Sequence, residues 1–477
     1  METQDRQPPK PRRWPWIGLA ILLGVPALAI LALQAVFTLR AIPRERMAPP
    51  ADAVRLKPPA AAARIRLDTS DQTKAVSQYV EFVKARHADS PAVAIYEKWI
   101  PRTDSDPFRE EFRELFDDWL SNRPLSAQQT EWLIRQRELV EDLLRLAAAA
   151  DTPMIGFEDA LACDQDQLRR LQFPALNFNA RGARILIAES RRRRDAGDPD
   201  GAVEAIEAVT RLGQSFGRPL LWNQQYGAKL RTLAFDAYGY WIEDSMPPET
   251  ARRVRENLLG YTPADIRLNL ETEYRRRRAE FIADLSRPYN TILENQLHHA
   301  GYAGDLDPVH VAADMNANYQ NTVGFFTRAA WKSIKIKSGA SKFLDEFDAN
   351  YREMTQKITP GEPLRILAFP TDLFQSAGTQ GYPVIKLWEA LYGSIAEENT
   401  ALARRNLDLA ALERMLGGAA EYKDPFTEKP IGSAEEGKAV AIYSIGPDAR
   451  DDHARIVYDP TNGTCSAGDI ILRLANQ

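Results

Sequence analysis

Five aspartates stand close together near the C-terminus of this 477-residue chain, and their side chains are the clearest candidates for chemistry. They are Asp448, Asp451, Asp452, Asp459 and Asp469. Carboxylates in loops between short strands are hard oxygen ligands, which Ca²⁺ prefers. The sequence therefore offers Asp448, Asp451, Asp452 and Asp459 as candidate ligands of a calcium ion, although it contains no EF-hand loop.

The same aspartates have a second explanation in turn chemistry. Asp and Asn side chains bond to nearby backbone in turns, and Asp-Pro, Pro-Asp and Asn-Gly, which all occur in this stretch, are typical turn dipeptides. Like charges that pack together without a cation repel each other, which favours the ion if the fold brings the carboxylates close. Both explanations therefore remain open. Either the aspartates order the turns by bonding to backbone amides, or some of them share a Ca²⁺, with Asp448, Asp451 and Asp459 as the first candidate ligands.

Short apolar runs on either side of the aspartates predict the elements that position them. The runs are "AVAIYSIG" at 439–446, "ARIVYD" at 454–459 and "DIILRL" at 469–474. Each is β-rich and bounded by turn residues, so we expect three strands in a small sheet. Because such a sheet is marginally stable alone, we expect one apolar face to pack on the preceding helix. That face consists of Tyr443, Ile445, Ile456, Tyr458, Ile470 and Leu472.

The tail also resembles a known family over about residues 420 to 474. The matching segments are Asp424 to Thr427, Ile442 to Asp448, Asp451-Asp452, Tyr458 to Gly463 and Gly468 to Ile470. In this order they resemble the C-terminal region of the major pseudopilins of type II secretion, and the tails of membrane-anchored bacterial proteins of unassigned function. The resemblance implies a small β-element whose loops can hold calcium, and a connection with a secretion or pilus-like apparatus.

Between the two termini the chain reads as helical. Apolar residues from Phe108 to Leu120 recur with the helical period, and Ser126 with Gln129 forms a capping box for one helix that runs through Leu144. Residues 174–216 predict a tetratricopeptide-like helical hairpin, in which small and aliphatic residues face the first helix. Residues 383–418 predict a long helix or a helix pair. The fold class is therefore mainly α, an irregular helical bundle with a small C-terminal β-element.

The N-terminus predicts a membrane anchor. The chain carries no charge from Trp14 to Leu39, which exceeds the roughly 20 residues needed to cross a bilayer. A cleaved signal peptide is the alternative, but its apolar region is shorter and ends in a small-residue cleavage site. We therefore expect an inner-membrane protein of a bacterium with its bulk in the periplasm. Its predicted parts are a cytoplasmic head at 1–16, a transmembrane helix at 17–39, a Pro/Ala-rich spacer at 40–63, a helical domain at 64–418 and the pseudopilin-like element at 419–477.

Composition narrows the function class without fixing it. With 61 basic and 66 acidic residues the net charge is −5, which argues against nucleic acid as a partner. The tetra-arginine runs Arg191–Arg194 and Arg275–Arg278 are flanked by acids and predict solvated, salt-bridged helix faces. Motifs of nucleophilic catalysis and of phosphate-binding loops do not occur in the sequence. We expect a membrane-anchored interaction or scaffold protein with protein partners, and the alternative is a membrane-tethered hydrolase of unrecognised type.

Overall fold

A computed structural model describes most of the chain between residues 72 and 475. The described residues are 72–87, 90–116, 124–149, 165–216, 220–244, 246–263, 266–286, 347–349, 351–353, 355–356, 382–436, 439–448, 450–459 and 467–475. The predicted anchor at 17–39 and the spacer at 40–63 lie outside them. Among the described residues, no helix combines the length and the apolar character that a bilayer crossing requires.

Helices make up most of the described chain, which confirms the predicted mainly α class. They are α1 (Gln72–His87), α2 (Pro91–Thr103), α3 (Asp106–Phe116), α4 (Ala127–Arg135), α5 (Arg137–Ala148), α6 (Gln165–Asp195), α7 (Pro199–Phe216), α8 (Leu221–Glu243), α9 (Pro248–Leu259), α10 (Ile266–Ser286) and α11 (Tyr382–Met415). The strands β1 (Gly432–Glu436), β2 (Ala439–Ser444) and β3 (Ile470–Ala475) follow, which confirms the small C-terminal sheet.

The chain divides into two compact units. The first consists of residues 1–54, 278–351 and 372–383, of which the structure describes 278–286, 347–349, 351 and 382–383. The second consists of residues 55–277, 352–371 and 384–477 and contains α1 to α9, most of α10 and α11, and the sheet. Everything described below lies in this second unit, where one apolar core joins the helices to the sheet.

The predicted capping box begins α4 as expected. The Ser126 hydroxyl accepts a hydrogen bond from the Gln129 amide at 3.1 Å, and the Gln129 side chain accepts one from the Ser126 amide at 2.8 Å. The prediction of one continuous helix through Leu144 is wrong, because Gln136 leaves the helical conformation and separates α4 from α5. Neither glycine nor proline marks this break, so the sequence contains no local signal for it.

The predicted hairpin is confirmed as α6 and α7, and α8 packs against α7. The small and aliphatic residues expected to face the first helix are buried; they are Ala202, Ala205, Ile206, Val209 and Leu212. Gly213 lets α7 approach α8 closely, since a Cβ there would lie 2.7 Å from the backbone oxygen of Gly227. Backbones can come this close only where the side chain is absent.

The sheet differs from the prediction in one strand. Its order is β1-β2-β3, with both pairs antiparallel. The run at 454–459 is not a strand: His453 and Ala454 have positive φ values of 55° and 62°, and only Val457 makes a bridge, to Asp469. The third strand is instead β1, whose polar sequence "GSAEE" carries no strand pattern and is held by its pairing with β2.

The apolar face of the sheet is also shifted from the prediction. Tyr458, Ile470 and Leu472 join the main core as expected, but Ile442 takes the place predicted for Tyr443. Side chains alternate along a strand, so Tyr443 lies on the opposite face, in a small cluster with Ala441, Ala454 and Ile471 that Ile445 also contacts. Ile456 is half-exposed and belongs to neither face.

Trp132 is the centre of an aromatic cluster that fixes α3 on α4. Its ring lies 5.7 Å from Phe108, 6.1 Å from Phe112 and 5.2 Å from Phe116, and its side chain is fully buried. We expect Trp132→Ala to lower the free energy of unfolding by about 3–5 kcal/mol, because it removes a large buried ring and leaves a cavity. Urea unfolding followed by circular dichroism measures this. Ile134→Ala is the control: its side chain is 59% exposed, so a comparable loss there would contradict the assignment.

Candidate functional site

Two of the predicted calcium ligands bond to backbone amides in the turns. Asp448 accepts hydrogen bonds from the amide of Gly468 at 3.0 Å and from that of Arg450 at 3.2 Å. Asp451 accepts one from the amide of His453 at 3.0 Å and lies 3.0 Å from the ring nitrogen Nδ1 of the same residue. These contacts are the turn chemistry that the sequence left open beside calcium.

The other two predicted ligands differ from each other in exposure. Asp452 is half-buried, and its amide donates to Asp469 at 3.5 Å, while Asp459 is exposed. Within the described part of the chain, no three His, Cys, Asp or Glu side chains group closely enough to hold a metal ion. Calcium binding by Asp448, Asp451, Asp452 and Asp459 stays a prediction.

Two further aspartates, both buried, organise the same turns. Asp424 accepts hydrogen bonds from the amides of Phe426 at 2.8 Å and Ile445 at 2.9 Å. Asp469 accepts one from Ala454 at 2.7 Å, where the backbone has the unfavourable positive φ. Asp469 is one of the five tail aspartates but is not one of the predicted ligands. Asp424 belongs only to the segments that resemble the pseudopilin family. Each accepts a hydrogen bond from an amide in a distant part of the chain, that of Ile445 for Asp424 and that of Ala454 for Asp469, which sequence spacing does not reveal.

A buried polar seam joins the sheet to the helices. It consists of Asp236 and Glu243 on α8 and Arg404 and Asp408 on α11, and we call it the α8–α11 seam. Arg404 Nε lies 2.7 Å from Asp236 Oδ1, and the same guanidinium donates from Nη1 to the backbone oxygen of Ile471 at 2.8 Å. Glu243 accepts a hydrogen bond from the amide of Arg473 at 3.0 Å.

These contacts close the edge of β3 that faces away from β2. Alternate residues of an edge strand present their backbone groups to the open side. On β3 the open side is taken by Arg404 at Ile471 and by Glu243 at Arg473, and Asp469 just before it exchanges backbone bonds with Ile456 and Tyr458 at 2.8 and 2.9 Å. The α8–α11 seam therefore replaces a neighbouring strand and leaves β1 as the other edge of the sheet.

Asp408 is the least compensated group of the α8–α11 seam. Its side chain is 1% exposed, and its Oδ2 has no hydrogen-bond partner. Burial raises the pKa of Asp408 well above its ordinary value, Asp236 and Glu243 add to that rise, and Arg404 opposes it. Burial raises the pKa of Asp236 as well, against the attraction of Arg404. Burial therefore favours the neutral form of Asp408, while the Asp236 carboxyl is held by the guanidinium of Arg404.

A second buried cluster holds α7, α8 and α11 together. Arg231 is fully buried, pairs with Glu398, and donates to the backbone oxygen of Gly213 at 2.9 Å. Tyr261 donates to the other oxygen of Glu398 at 2.9 Å, and burial raises the pKa of its hydroxyl. Breaking such a buried pair by removing one partner leaves an uncompensated charge, so this cluster fixes the packing of the three helices.

The arginine runs are salt-bridged, as predicted, but the prediction of solvated faces is wrong for Arg276, which is buried, and each run surrounds a buried glutamate. Glu189 is bonded by Arg192 and Arg193 at 2.7–2.8 Å, and Glu273 by Arg276 and Arg277 at 2.7–2.8 Å. Burial by itself raises the pKa of each glutamate, but the neighbouring guanidinium groups prevail and lower it. The arginine runs therefore form ion pairs in the interior of the bundle as well as on its surface.

One exposed cluster of the described surface is aromatic. Trp222 on α8 lies 6.5 Å from Phe173 on α6 and 5.8 Å from Tyr226 on α8, measured between ring centres. Phe173 is 44% exposed and Tyr226 is 38% exposed, while Trp222 lies half-buried between them. Large aromatic side chains are enriched at protein interfaces, and sequence periodicity alone did not distinguish these three rings from core residues.

The proton held by Asp408 predicts a pH dependence of stability. The folded protein keeps this proton after the unfolded chain has released its own near pH ~3.9, so stability falls as pH rises from there toward the folded-state pKa. The slope for one such proton is about 1.4 kcal/mol per pH unit. We expect Asp408→Asn to flatten the loss of thermal stability that follows as the pH rises above ~4. Asp200→Asn, at a residue on the exposed start of α7, is the control, and equal slopes in all three proteins would contradict the assignment.

Calcium and turn chemistry give opposite results in one measurement. An ion that binds only the folded tail stabilises it by RT ln(1 + [L]/Kd), or ~2.7 kcal/mol at a hundredfold excess over Kd. If the tail binds calcium, we expect the melting temperature to rise in millimolar Ca²⁺, to return with chelator, and to lose this response in Asp451→Asn with Asp452→Asn. If neither Ca²⁺ nor chelator changes the melting temperature, the hydrogen bonds that Asp448 and Asp451 make in the turns are the whole function of these residues.

Similarity to known proteins does not identify this chain. No protein-family model, no curated protein and no solved structure matches it.

Proposed function

We propose that this chain is a membrane-anchored, exported interaction or scaffold protein that works with a secretion or pilus-like apparatus. The observation that carries the interaction function is the exposed aromatic cluster of Phe173, Trp222 and Tyr226 on the surface of α6 and α8. Aromatic residues supply much of the binding energy at interfaces, because each ring buries a large area at a low cost in conformational entropy.

The helical architecture supports this proposal. The antiparallel helices α6, α7 and α8 pack side by side, in the manner of a tetratricopeptide-like array, and such arrays present their outer surfaces to protein partners. The buried charges of this region bond to other helices or to the sheet, so they hold the array in shape. The cellular location rests on the uncharged run from Trp14 to Leu39, and the link with secretion rests on the resemblance of the tail.

The alternative, a membrane-tethered hydrolase, has one observation in its favour. Asp408 and Asp236 are buried carboxyls whose pKa values are both raised, and carboxyls with perturbed pKa values occur in active sites. However, both carboxyls are buried, and a Cβ at Gly239 would lie 3.1 Å from Asp408 Oδ1 and 3.2 Å from Leu472 Cδ1 on β3. This tight packing makes a structural role the better account of the two carboxyls.

The interaction function predicts a site-specific contact. A photo-reactive phenylalanine analogue in place of Tyr226, in the full-length chain in its native membrane, should give discrete crosslinked adducts. The same analogue in place of Leu259, which is 45% exposed on α9, is the control and should not give these adducts. Adding Phe173→Ala should weaken the adducts from position 226, because it removes part of the same surface. Identical patterns from both positions, or no adducts from 226, would contradict the proposal.

A further inference from the structure

One arginine of α11 is half-buried without an ion pair. Within the described part of the chain, Arg405 makes no salt bridge and no hydrogen bond, and its Nε is fully enclosed without an acceptor. The preceding residue, Arg404, is compensated, because it binds the carboxyl group of Asp236 and the backbone oxygen of Ile471. Burial lowers the pKa of Arg405. Charged groups that are removed from water are normally paired, so an unpaired guanidinium in this position calls for an explanation.

The nearest buried ion pair does not compensate Arg405. The guanidinium carbon of Arg405 lies 5.7 Å from the centre of the Tyr261 ring, and that of Arg231 lies 5.8 Å from the same ring. The carboxylate of this cluster is Glu398, which pairs with Arg231 and accepts the hydrogen bond of the Tyr261 hydroxyl. These four residues therefore carry one positive charge that their single carboxylate does not balance.

A second ion pair near Arg405 is also complete. Glu413 accepts hydrogen bonds from Arg255 Nε at 2.5 Å and from the Tyr422 hydroxyl at 3.2 Å. Burial raises the pKa of the Tyr422 hydroxyl, and the guanidinium groups of Arg255 and Arg405 both oppose that rise, which shows that Arg405 lies near Tyr422. Since Glu413 is already paired with Arg255, neither neighbouring ion pair balances the charge of Arg405.

The accessible atoms of Arg405 indicate the class of ligand. Its Nε is enclosed, whereas Nη1 and Nη2, which are also unbonded, remain open to solvent. The planar guanidinium group binds a carboxylate through two parallel N–H···O bonds. One carboxylate carries the single negative charge that the site lacks. A phosphate group carries about −1.5 to −2 and would leave an uncompensated negative charge beside buried side chains.

We propose that Arg405 is a binding site for a carboxylate group, which Nη1 and Nη2 hold next to Tyr422. The carboxylate belongs to a free organic acid or to an acidic side chain of a partner protein, since both present the same planar anion. The cation–π contact with Tyr261 stabilises the guanidinium while the site is empty. The exposed aromatic cluster of α6 and α8 contributes no residue to this site, so the inference does not rest on the proposed interaction function.

Stability distinguishes a ligand-binding arginine from a structural one. Arg405→Met removes an unpaired charge at nearly constant side-chain length, so the melting temperature in chloride buffer should stay the same or rise. Arg404→Met, one position earlier, breaks the contact with Asp236 and should lower the melting temperature. If Arg405→Met lowers it as much as Arg404→Met does, Arg405 has a structural role and the inference is overturned.

Binding is measured on the full-length chain in detergent, with acetate as the probe and chloride at the same ionic strength as the reference. At an acetate concentration tenfold above Kd, we expect the melting temperature to rise by about 2 °C. Arg405→Met should abolish this rise, and Arg405→Lys, which keeps the charge but loses the two-pronged geometry, should reduce it. Arg414→Met is the matched control and should retain the rise, because Arg414 is an exposed arginine of the same helix.

Two results of this measurement would overturn the inference. One is the absence of any rise with acetate, and the other is a rise that persists in Arg405→Met. If inorganic phosphate stabilises the protein more than acetate does, and Arg405→Met abolishes that effect, the assignment of a carboxylate is wrong.

A crosslinking experiment decides the source of the carboxylate. Lys423 is exposed beside Tyr422, and its backbone oxygen accepts a hydrogen bond from Asn406, the residue after Arg405, at 2.8 Å. A photo-reactive phenylalanine analogue replaces Lys423 in the full-length chain in its native membrane. A partner's acidic side chain predicts a protein adduct that Arg405→Met removes, and a free acid predicts no adduct together with the acetate response. An adduct that Arg405→Met leaves unchanged would show a partner that does not use Arg405 and would contradict the inference, whatever the crosslinks from position 226 show.

Discussion

A single guanidinium group joins the two halves of the described fold. Arg404 on α11 binds the carboxylate of Asp236 on α8 and the backbone oxygen of Ile471 on β3, so helix, helix and sheet meet at one side chain. A three-stranded sheet with one short polar strand buries too little apolar area to be stable alone. Its stability comes from Ile442, Ile470 and Leu472 packed on the helices and from the polar groups that close the edge of β3.

Buried ion pairs connect or stiffen the helices of the bundle. Arg231 with Glu398 joins α8 to α11, whereas Glu189 and Glu273 each pair with arginines of their own helix. A buried pair between helices contributes little net stability compared with apolar residues of the same size, but it penalises any packing that separates the partners. A fixed packing of α6, α7 and α8 is what an interaction surface requires, because the rings of Phe173, Trp222 and Tyr226 come from two of those helices.

Local patterns predicted the parts of the fold that depend on local physics. The capping box of Ser126 and Gln129 needs only residues three positions apart, and the hairpin of α6 and α7 needs only its apolar stripe and its turn. The β1 strand was not predicted, because its conformation is specified by its pairing with β2. The break at Gln136 was not predicted, because neither glycine nor proline marks it. The calcium ligands were chosen by spacing, whereas the bonds of Asp448, Asp451 and Asp469 depend on which amides the fold brings to them.

The sequence by itself determined the mainly helical class, the small C-terminal sheet and the balance of charge, because composition and periodicity follow from single residues and their near neighbours. Only the tertiary structure decided which polar groups are buried. Asp236 and Asp408 are separated by more than a hundred residues, as are Arg231 and Glu398, and nothing in their local sequence distinguishes them from surface charges. Gln172 and Asn223 are also buried, and their local sequence gives no signal of it. Burial and pairing are properties of distant contacts, and the energy of a polar group depends on those contacts more than on its type.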